Sequence, residues 1–169
     1  QTAEHVKTIK VPGGGGNFTC LKDGSKCYVG LRKANAVGVI DMAKLELMKT
    51  IETGPDANRL YLNPGNSRYG LFANEAGKSD IVSIIDTQKD VKVKDIWTGL
   101  GPHNVAFDPD GKFAVISTKK ENVATLVDTA SADPNEWDVI TTDLDSGIQN
   151  NGVRWVPSPA ALKKALAQN

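Results

Sequence analysis

Short runs of apolar and β-branched residues recur along the chain, separated by clusters of glycine, proline, asparagine and aspartate. In the clearest stretch, the turn Asp108-Pro109-Asp110-Gly111 joins two such runs, because proline presets its backbone angle and glycine accepts a left-handed conformation. The pattern predicts a unit of four short strands. These strands are Asn104–Phe107, Phe113–Thr118, Val123–Val127 and Trp137–Thr142.

Two earlier copies of this unit precede it, and Asp41, Asp86 and Asp128 close the third strand of each copy. A period of about 40–50 residues with four strands per unit is typical of a β-propeller blade. A β-sandwich would explain the number of strands but not the recurring order of asparagine, turn, aspartate and Thr-Gly. We therefore predict an all-β, partial β-propeller in one domain, 1–169, with three complete four-stranded blades at about 17–54, 58–99 and 103–147.

Both ends of the chain carry pieces that fit no complete blade. His5–Val11 alternates polar and apolar residues and resembles the fourth strand of a blade. At the other end, 151–168 reads as an opening strand, Val153–Val156, and a short C-terminal helix, Pro159–Gln168, with Ser158 as its N-cap. Propellers typically need four to eight blades. We therefore expect another chain, identical or different, to complete the ring by contacting these two ends.

Composition excludes some partners. The chain has 20 basic and 20 acidic side chains, so no global field attracts nucleic acid or an anionic membrane. No stretch approaches the 18 consecutive apolar residues of a transmembrane segment. The sequence starts at Gln1 without methionine, as if a leader had been removed, so we expect a periplasmic or extracellular protein.

The two cysteines, Cys20 and Cys27, flank a turn between adjacent predicted strands. With a two-residue turn at Asp23-Gly24 they would lie opposite each other and could form a disulfide. With the three-residue register that Asp110-Gly111 suggests, the pair would slip and leave two separate thiols. Both readings stay open. A zinc site is disfavoured because no histidine or third cysteine lies nearby.

Four consecutive glycines, Gly13–Gly16, invite comparison with a phosphate-binding loop. No helix signal and no Gly-Lys-Ser/Thr motif follow them, so we interpret them as a connecting loop.

The stretch GPHNVAFDPDGKFAVIST, with its closing IDT and LVDT, resembles the YVTN-type β-propeller repeats of bacterial and archaeal surface-layer and periplasmic proteins. It is also similar to the lactonase-like propellers and to the propeller domains of haem-containing nitrite reductases and nitrous oxide reductases. The resemblance implies a blade but specifies no activity, since the same blade serves scaffolds, binders and enzymes. The chain has no Cys-x-x-Cys-His motif, which excludes a covalently attached c-type haem.

Polar residues recur just before the first strand of each blade, where superposed copies would converge on the central channel. The candidates for ligand binding are Asn17, Asn58, Arg59, His103, Asn104 and Asn151. The alternative is that each asparagine only satisfies backbone groups at a blade entrance. His103 is also a candidate metal or haem ligand, although His5 falls at a different repeat position, so further ligands would come from another chain. No catalytic residue is predicted.

The leading prediction is an exported propeller segment that acts as a binding or scaffold subunit of a larger assembly. No cofactor is predicted for it. The alternative is the propeller part of a periplasmic oxidoreductase that uses haem or copper, with His103 near the channel. A lactonase-like hydrolase is a third reading, for which no catalytic residues can be named.

Overall fold

The computed structural model describes residues 4–75 and 79–145, which form twelve strands in three four-stranded antiparallel sheets. The first sheet, blade 1, contains β1 Phe18–Cys20, β2 Lys26–Leu31, β3 Ala36–Asp41 and β4 Glu46–Glu52. Blade 2 contains β5 Ala57–Leu62, β6 Tyr69–Asn74, β7 Ile81–Asp86 and β8 Val91–Trp97. Blade 3 contains β9 Pro102–Phe107, β10 Phe113–Thr118, β11 Val123–Asp128 and β12 Asp138–Asp145.

Within each sheet the strands follow one another in chain order, and the first strands β1, β5 and β9 contact one another across neighbouring blades. Four-stranded meanders with their first strands side by side are the architecture of propeller blades. The predicted all-β partial propeller is confirmed. The predicted strand and helix in 151–168 lie outside the described residues.

Apolar side chains join the blades face to face. Between blades 1 and 2 the buried cluster contains Tyr28, Val37, Val39, Ile51, Ala57, Leu60, Phe72 and Ile85. Between blades 2 and 3 it contains Tyr69, Leu71, Val82, Ile84, Ile96, Val105, Ala114, Ile116, Val127 and Trp137. Alternate residues of each strand thus face alternate neighbours, which is why the strands read as nearly continuous apolar runs.

The recurring aspartates that close the third strands also cap the turns that follow. Asp41 Oδ1 accepts hydrogen bonds from the backbone N–H groups of Ala43 and Lys44, each at 2.9 Å. Asp86 and Asp128 accept equivalent bonds from residues two or three positions later. Each side chain therefore fixes the turn between the third and fourth strands of its blade.

The first hairpins of blades 1 and 3 share one register. Cys20 pairs with Cys27 in blade 1, and Phe107 pairs with Ala114 in blade 3. The suggested three-residue register for Asp110-Gly111 is therefore wrong, because the backbone N–H of Gly111 bonds to Asp108 and closes the same turn as in blade 1. The register that allows a bridge is present, and Cys20 and Cys27 form a disulfide.

One terminal prediction is wrong. His5–Val11 forms no strand, although its polar and apolar residues alternate. Alternation produces a strand only where a neighbouring strand offers a ladder of backbone partners. This segment instead uses side chains: His5 Nε2 lies 3.0 Å from Thr8 Oγ1, and Val11 packs against the outer face of blade 1.

At the end of the blades that carries the first hairpin turns, polar side chains join blades 1 and 2. The hydroxyl of Tyr28 donates to Asp90 Oδ1 at 2.5 Å and also lies 2.9 Å from the Thr87 carbonyl. Lys26 Nζ donates to both oxygens of Asp90, at 2.9 and 2.8 Å. Burial and the neighbouring Asp90 raise the pKa of Tyr28 far above its ordinary value, so this phenol stays neutral.

The corresponding hydrogen bond between blades 2 and 3 is made by the side-chain amide of Asn63. Asn63 is buried, and its Nδ2 donates to the Gly111 carbonyl at 2.7 Å. Its Oδ1 accepts from the backbone N–H of Gly65 at 2.8 Å. A Cβ on Gly111 would lie 1.8 Å from that same oxygen. This contact explains why the Asp-Pro-Asp-Gly turn ends in glycine: a positive φ of 70° and a close neighbour both require it.

Candidate functional site

Several predicted site residues meet at the end of the blades where β1, β5 and β9 begin, which we call the channel mouth. Asn17 Nδ2 donates to Asn58 Oδ1 at 2.7 Å and joins blades 1 and 2. Asn58 Nδ2 donates to Glu75 Oε2 at 2.6 Å. His103 Nε2, in blade 3, lies 3.2 Å from Glu75 Oε1. The structure therefore brings Asn17, Asn58 and His103, with the adjacent Asn104, into one network.

Glu75 is the centre of this network, and the sequence analysis missed it. The residue lies directly after β6, and its side chain is only 7% exposed. It also accepts from Arg32 Nη1 at 3.3 Å and contacts Lys119 Nζ. Arg32 follows β2 in blade 1, and Lys119 follows β10 in blade 3. One carboxylate of the middle blade thus binds cationic side chains of both neighbours.

A repeat alignment contains the signal that could have found Glu75. The residues that pair with the closing aspartates are Lys26, Tyr69 and Phe113. Six residues after each of them stand Arg32, Glu75 and Lys119. The same repeat position therefore carries positive, negative and positive charge in successive blades. Because equivalent positions of adjacent blades are neighbours in space, this alternation predicts ion pairs between blades.

His103 lies between Asn104 and Glu75 within the network. Asn104 Nδ2 lies 2.9 Å from His103 Nδ1, and Asn104 Oδ1 accepts from the Tyr61 hydroxyl at 2.6 Å. Nδ1 of the ring therefore faces Asn104, and Nε2 faces Glu75. The imidazole links the amide of Asn104 to the carboxylate of Glu75.

A second carboxylate balances the cations at the mouth. Arg32 Nε and Nη2 donate to the two oxygens of Asp56 at 2.6 and 2.7 Å, in the bidentate geometry that arginine favours. Burial and the positive charge of Arg32 lower the pKa of Lys119, and the negative charge of Asp56 opposes that effect. Two carboxylates, Glu75 and Asp56, thus face the cationic side chains of Arg32 and Lys119 at the mouth.

Arg59 lies apart from this network. Its guanidinium sits 5.3 Å from the centre of the Tyr61 ring, and the side chain is exposed. Burial raises the pKa of Tyr61, and the charge of Arg59 opposes that rise. Both residues line a groove of about 310 Å³ along the first strands, together with Thr19, Leu60, Leu62, Pro64, Val105 and Phe107. Asn151 lies outside the described residues.

The arrangement at the mouth is that of a structural tie. Both carboxylate oxygens of Glu75 face protein donors, and the side-chain amide of Asn58 accepts through Oδ1 and donates through Nδ2. Across residues 4–75 and 79–145, no group of three His, Cys, Asp or Glu side chains is placed to hold a metal ion. Ligand binding by Asn17, Asn58, Arg59, His103 and Asn104 stays a prediction.

No family model and no curated protein matches the chain. Solved structures do match it. Hydrazine synthase of Kuenenia stuttgartiensis is 27% identical, with a TM-score of 0.59 over 72% of this chain and 36% of that chain. A putative 6-phosphogluconolactonase from Bacteroides fragilis is 20% identical, with a TM-score of 0.66 over 80% of this chain and 41% of that one. The dihydro-haem d1 dehydrogenase NirN, solved with DHE, is 21% identical, with a TM-score of 0.65 over 81% and 31%.

These similarities confirm the resemblance to lactonase-like and haem-enzyme propellers at the level of the fold. The chain spans less than half the length of the structures that it matches. Within the described part of the chain, no helix is long and apolar enough to cross a membrane.

Proposed function

We propose that this chain is an exported propeller segment that acts as a binding and scaffold part of a larger assembly, in which another polypeptide supplies the remaining blades. The observation that supports this proposal is the number of blades. The described residues form three, joined by two apolar interfaces, whereas closed propellers need four to eight. The matched structures are more than twice as long as the part of them that the chain covers.

The network around Glu75 supports the scaffold role. A carboxylate that takes hydrogen bonds from three successive blades fixes the angle between them. A partner that contacts both end blades fits only if the angle between successive blades is constant. If that angle varied, one of the two contacts would be lost and its apolar surface would face water.

The native mass of the protein tests this function. A tagged chain would be purified under mild conditions from its source, and its mass measured by light scattering and native mass spectrometry. The proposal expects a stable complex well above the 18.1 kDa of one chain. A lone molecule of 18.1 kDa at micromolar concentration would refute it.

Export is the second part of the proposal, and the Cys20–Cys27 bridge supports it. Disulfides persist in oxidising compartments and are rare where glutathione and thioredoxin keep thiols reduced. Cell fractionation followed by alkylation of free thiols tests this part. We expect unmodified, bridged protein in the periplasmic or extracellular fraction, and alkylated cytosolic protein would contradict the proposal.

A second candidate function is part of a periplasmic oxidoreductase with haem or copper near the channel. The observation that favours it is the fold shared with a dihydro-haem d1 dehydrogenase, together with an imidazole at the channel mouth. The described residues fit such a centre poorly, because both nitrogens of His103 already face Glu75 and Asn104. Metal analysis and a visible absorption spectrum of the native complex decide between the two candidates.

A further inference from the structure

One residue on the outermost strands departs from the repeat. The first residues of the three third strands pair with Glu52 in blade 1, Trp97 in blade 2 and Asp145 in blade 3. The position just before is apolar in every blade and holds Ile51, Ile96 and Leu144. The fourth strands are therefore equivalent, and one position that is acidic in two blades is aromatic in the middle blade.

Trp97 is 68% exposed, and no missing blade accounts for this exposure. Blade 2 packs against blade 1 through one apolar cluster and against blade 3 through another, so both of its neighbours are present. A single exposed apolar residue is ordinary on a protein surface and would carry no conclusion by itself. The groove beside Trp97 supplies a second, independent observation.

Trp97 lines a groove of about 450 Å³ between β8 of blade 2 and β12 of blade 3. The buried Ile96 and Trp137 also line it, and both belong to the core between the two blades. Lys94 Nζ, on β8, donates to the backbone carbonyls of Asn135 and Trp137 at 2.7 Å each and so joins the two walls. The groove is therefore preformed, and its volume lies in the range of small-molecule sites.

The polar groups of the groove keep hydrogen-bonding capacity for a ligand. Asp138 Oδ1 accepts from the backbone N–H of Val139 at 2.8 Å, but no donor among residues 4–75 and 79–145 reaches Oδ2. The exposed hydroxyl of Thr142 has no partner in the same part of the chain. Lys94 has a third N–H beyond the two that bind carbonyls. An acceptor, a hydroxyl and a donor therefore border the groove.

The charges along the groove favour an uncharged ligand. Both oxygens of Asp95 already accept, from Ser83 at 2.6 Å and from Lys92 at 2.8 Å. Lys94 and Asp138 then add one charge of each sign. An anionic ligand would lie beside the carboxylate of Asp138 and a cationic one beside the ammonium of Lys94, and like charges repel.

From this geometry we infer that the groove between β8 and β12 binds a neutral carbohydrate. One sugar ring stacks its apolar C–H face on the indole of Trp97, which offers a large rigid surface. Hydroxyl groups of the sugar donate to Asp138 Oδ2 and accept from Lys94, since each hydroxyl both donates and accepts. The inference gives the binding role in the proposed function a ligand class, and for that role it rests on the proposed function.

An array of neutral oligosaccharides tests the inference, probed with the tagged protein purified under mild conditions. We expect the protein to retain at least one of them, and calorimetry then measures its affinity. Trp97→Ala should weaken this affinity at least about ten-fold, whereas Trp97→Phe keeps an aromatic face and should weaken it about three-fold or less. Met48→Ala is the matched control, because Met48 is 52% exposed on the corresponding strand β4, and it should leave the affinity unchanged.

The native mass separates the possible failures. An array that retains no oligosaccharide, or an affinity that Trp97→Ala leaves unchanged, would overturn the inference; if the native mass still exceeds that of one chain, the proposed function stands. A loss of native mass in Trp97→Ala would show that a protein partner contacts the groove and would also overturn the choice of ligand. Because Trp97 is exposed, its replacement should leave the urea midpoint of unfolding unchanged, so a loss of binding is not a loss of fold.

Discussion

Replacing Glu75 by glutamine tests whether the channel mouth holds the three blades together. The change keeps the size of the side chain but removes its charge and turns one acceptor oxygen into a donor. The amide nitrogen would then oppose either the donors on Oε2, from Asn58 and Arg32, or those on Oε1, from His103 and Lys119. Asn58 is only 2% exposed, so its Nδ2 cannot turn to water if its acceptor is lost.

The size of the expected destabilisation depends on which of the donors to Glu75 water can reach after the substitution. The side chains of Arg32 and Lys119 are 44% and 33% exposed, so water replaces much of what they lose. The donors from Asn58 and His103 are less accessible, but they contact different oxygens of Glu75, and glutamine keeps one acceptor oxygen. One of the two hydrogen bonds is therefore lost, at a cost of about 1–2 kcal/mol. We expect Glu75→Gln to lower the free energy of unfolding by that amount, which corresponds to a fall in Tm of roughly 2–8 °C for a domain of this size.

Urea unfolding measures this loss, with intrinsic tryptophan fluorescence as the probe, because one of the three indoles, Trp137, is buried between blades 2 and 3. Glu52→Gln is the matched control, since Glu52 is exposed on the edge strand β4 and should change stability by less than about 0.5 kcal/mol. If Glu75→Gln is as stable as that control, the network at the mouth does not join the blades, and the physical basis of the rigid arc fails.

Three further outcomes are expected. Gly111→Ala should lower the free energy of unfolding in urea by about 2 kcal/mol more than Gly24→Ala. Both glycines have φ near 70°, but only at Gly111 would a Cβ collide with a neighbouring side chain, that of Asn63; equal losses of stability would contradict this. Tyr28→Phe should lose about 1–2 kcal/mol by the same measurement, and no loss would show that the phenol does not tie blades 1 and 2. Burial raises the pKa of Asp86, but hydrogen bonds from Arg68 and the turn outweigh it and hold that pKa below its ordinary value. The stability from Asp86 is therefore present above about pH 4 and lost as the pH falls, so Asp86→Asn should flatten acid unfolding curves between about pH 5 and 2.

The strand pattern could be predicted from the sequence because each strand is short, rich in β-branched residues and closed by a turn with its own chemistry. Phe113–Thr118 has the same bounds in the prediction and in the structure, and the predicted Val123–Val127 differs from β11 by one residue. His5–Val11 shows the limit of such reasoning. Its alternation is as regular as that of a real strand, but a strand needs a partner for its backbone, and no local pattern reports whether that partner exists.

The candidate site was predicted in part for the same reason. Asn17 stands just before β1, and Asn58 and His103 are the second residues of β5 and β9, so their convergence follows from superposing the blades. The role of Asn58 could not be predicted, because its acceptor is a side chain that follows a different strand. The sequence does not decide whether the disulfide forms, because the geometry of the cysteine pair depends on the turn register, which Asp23-Gly24 alone does not determine.

Repeat folds offer a further source of prediction that strand patterns do not use. In a propeller, equivalent positions of successive blades lie side by side, so a residue is best compared with its equivalents one repeat before and after it. The alternation Arg32, Glu75, Lys119 is complementary between neighbours and becomes a line of ion pairs in space. The equivalent first-strand residues Phe18, Leu60 and Val105 are uniformly apolar; Leu60 and Val105 are buried against the preceding blade, while Phe18 is exposed. Both the ion pairs between blades and the apolar positions that neighbouring blades bury can therefore be read from the repeat alignment.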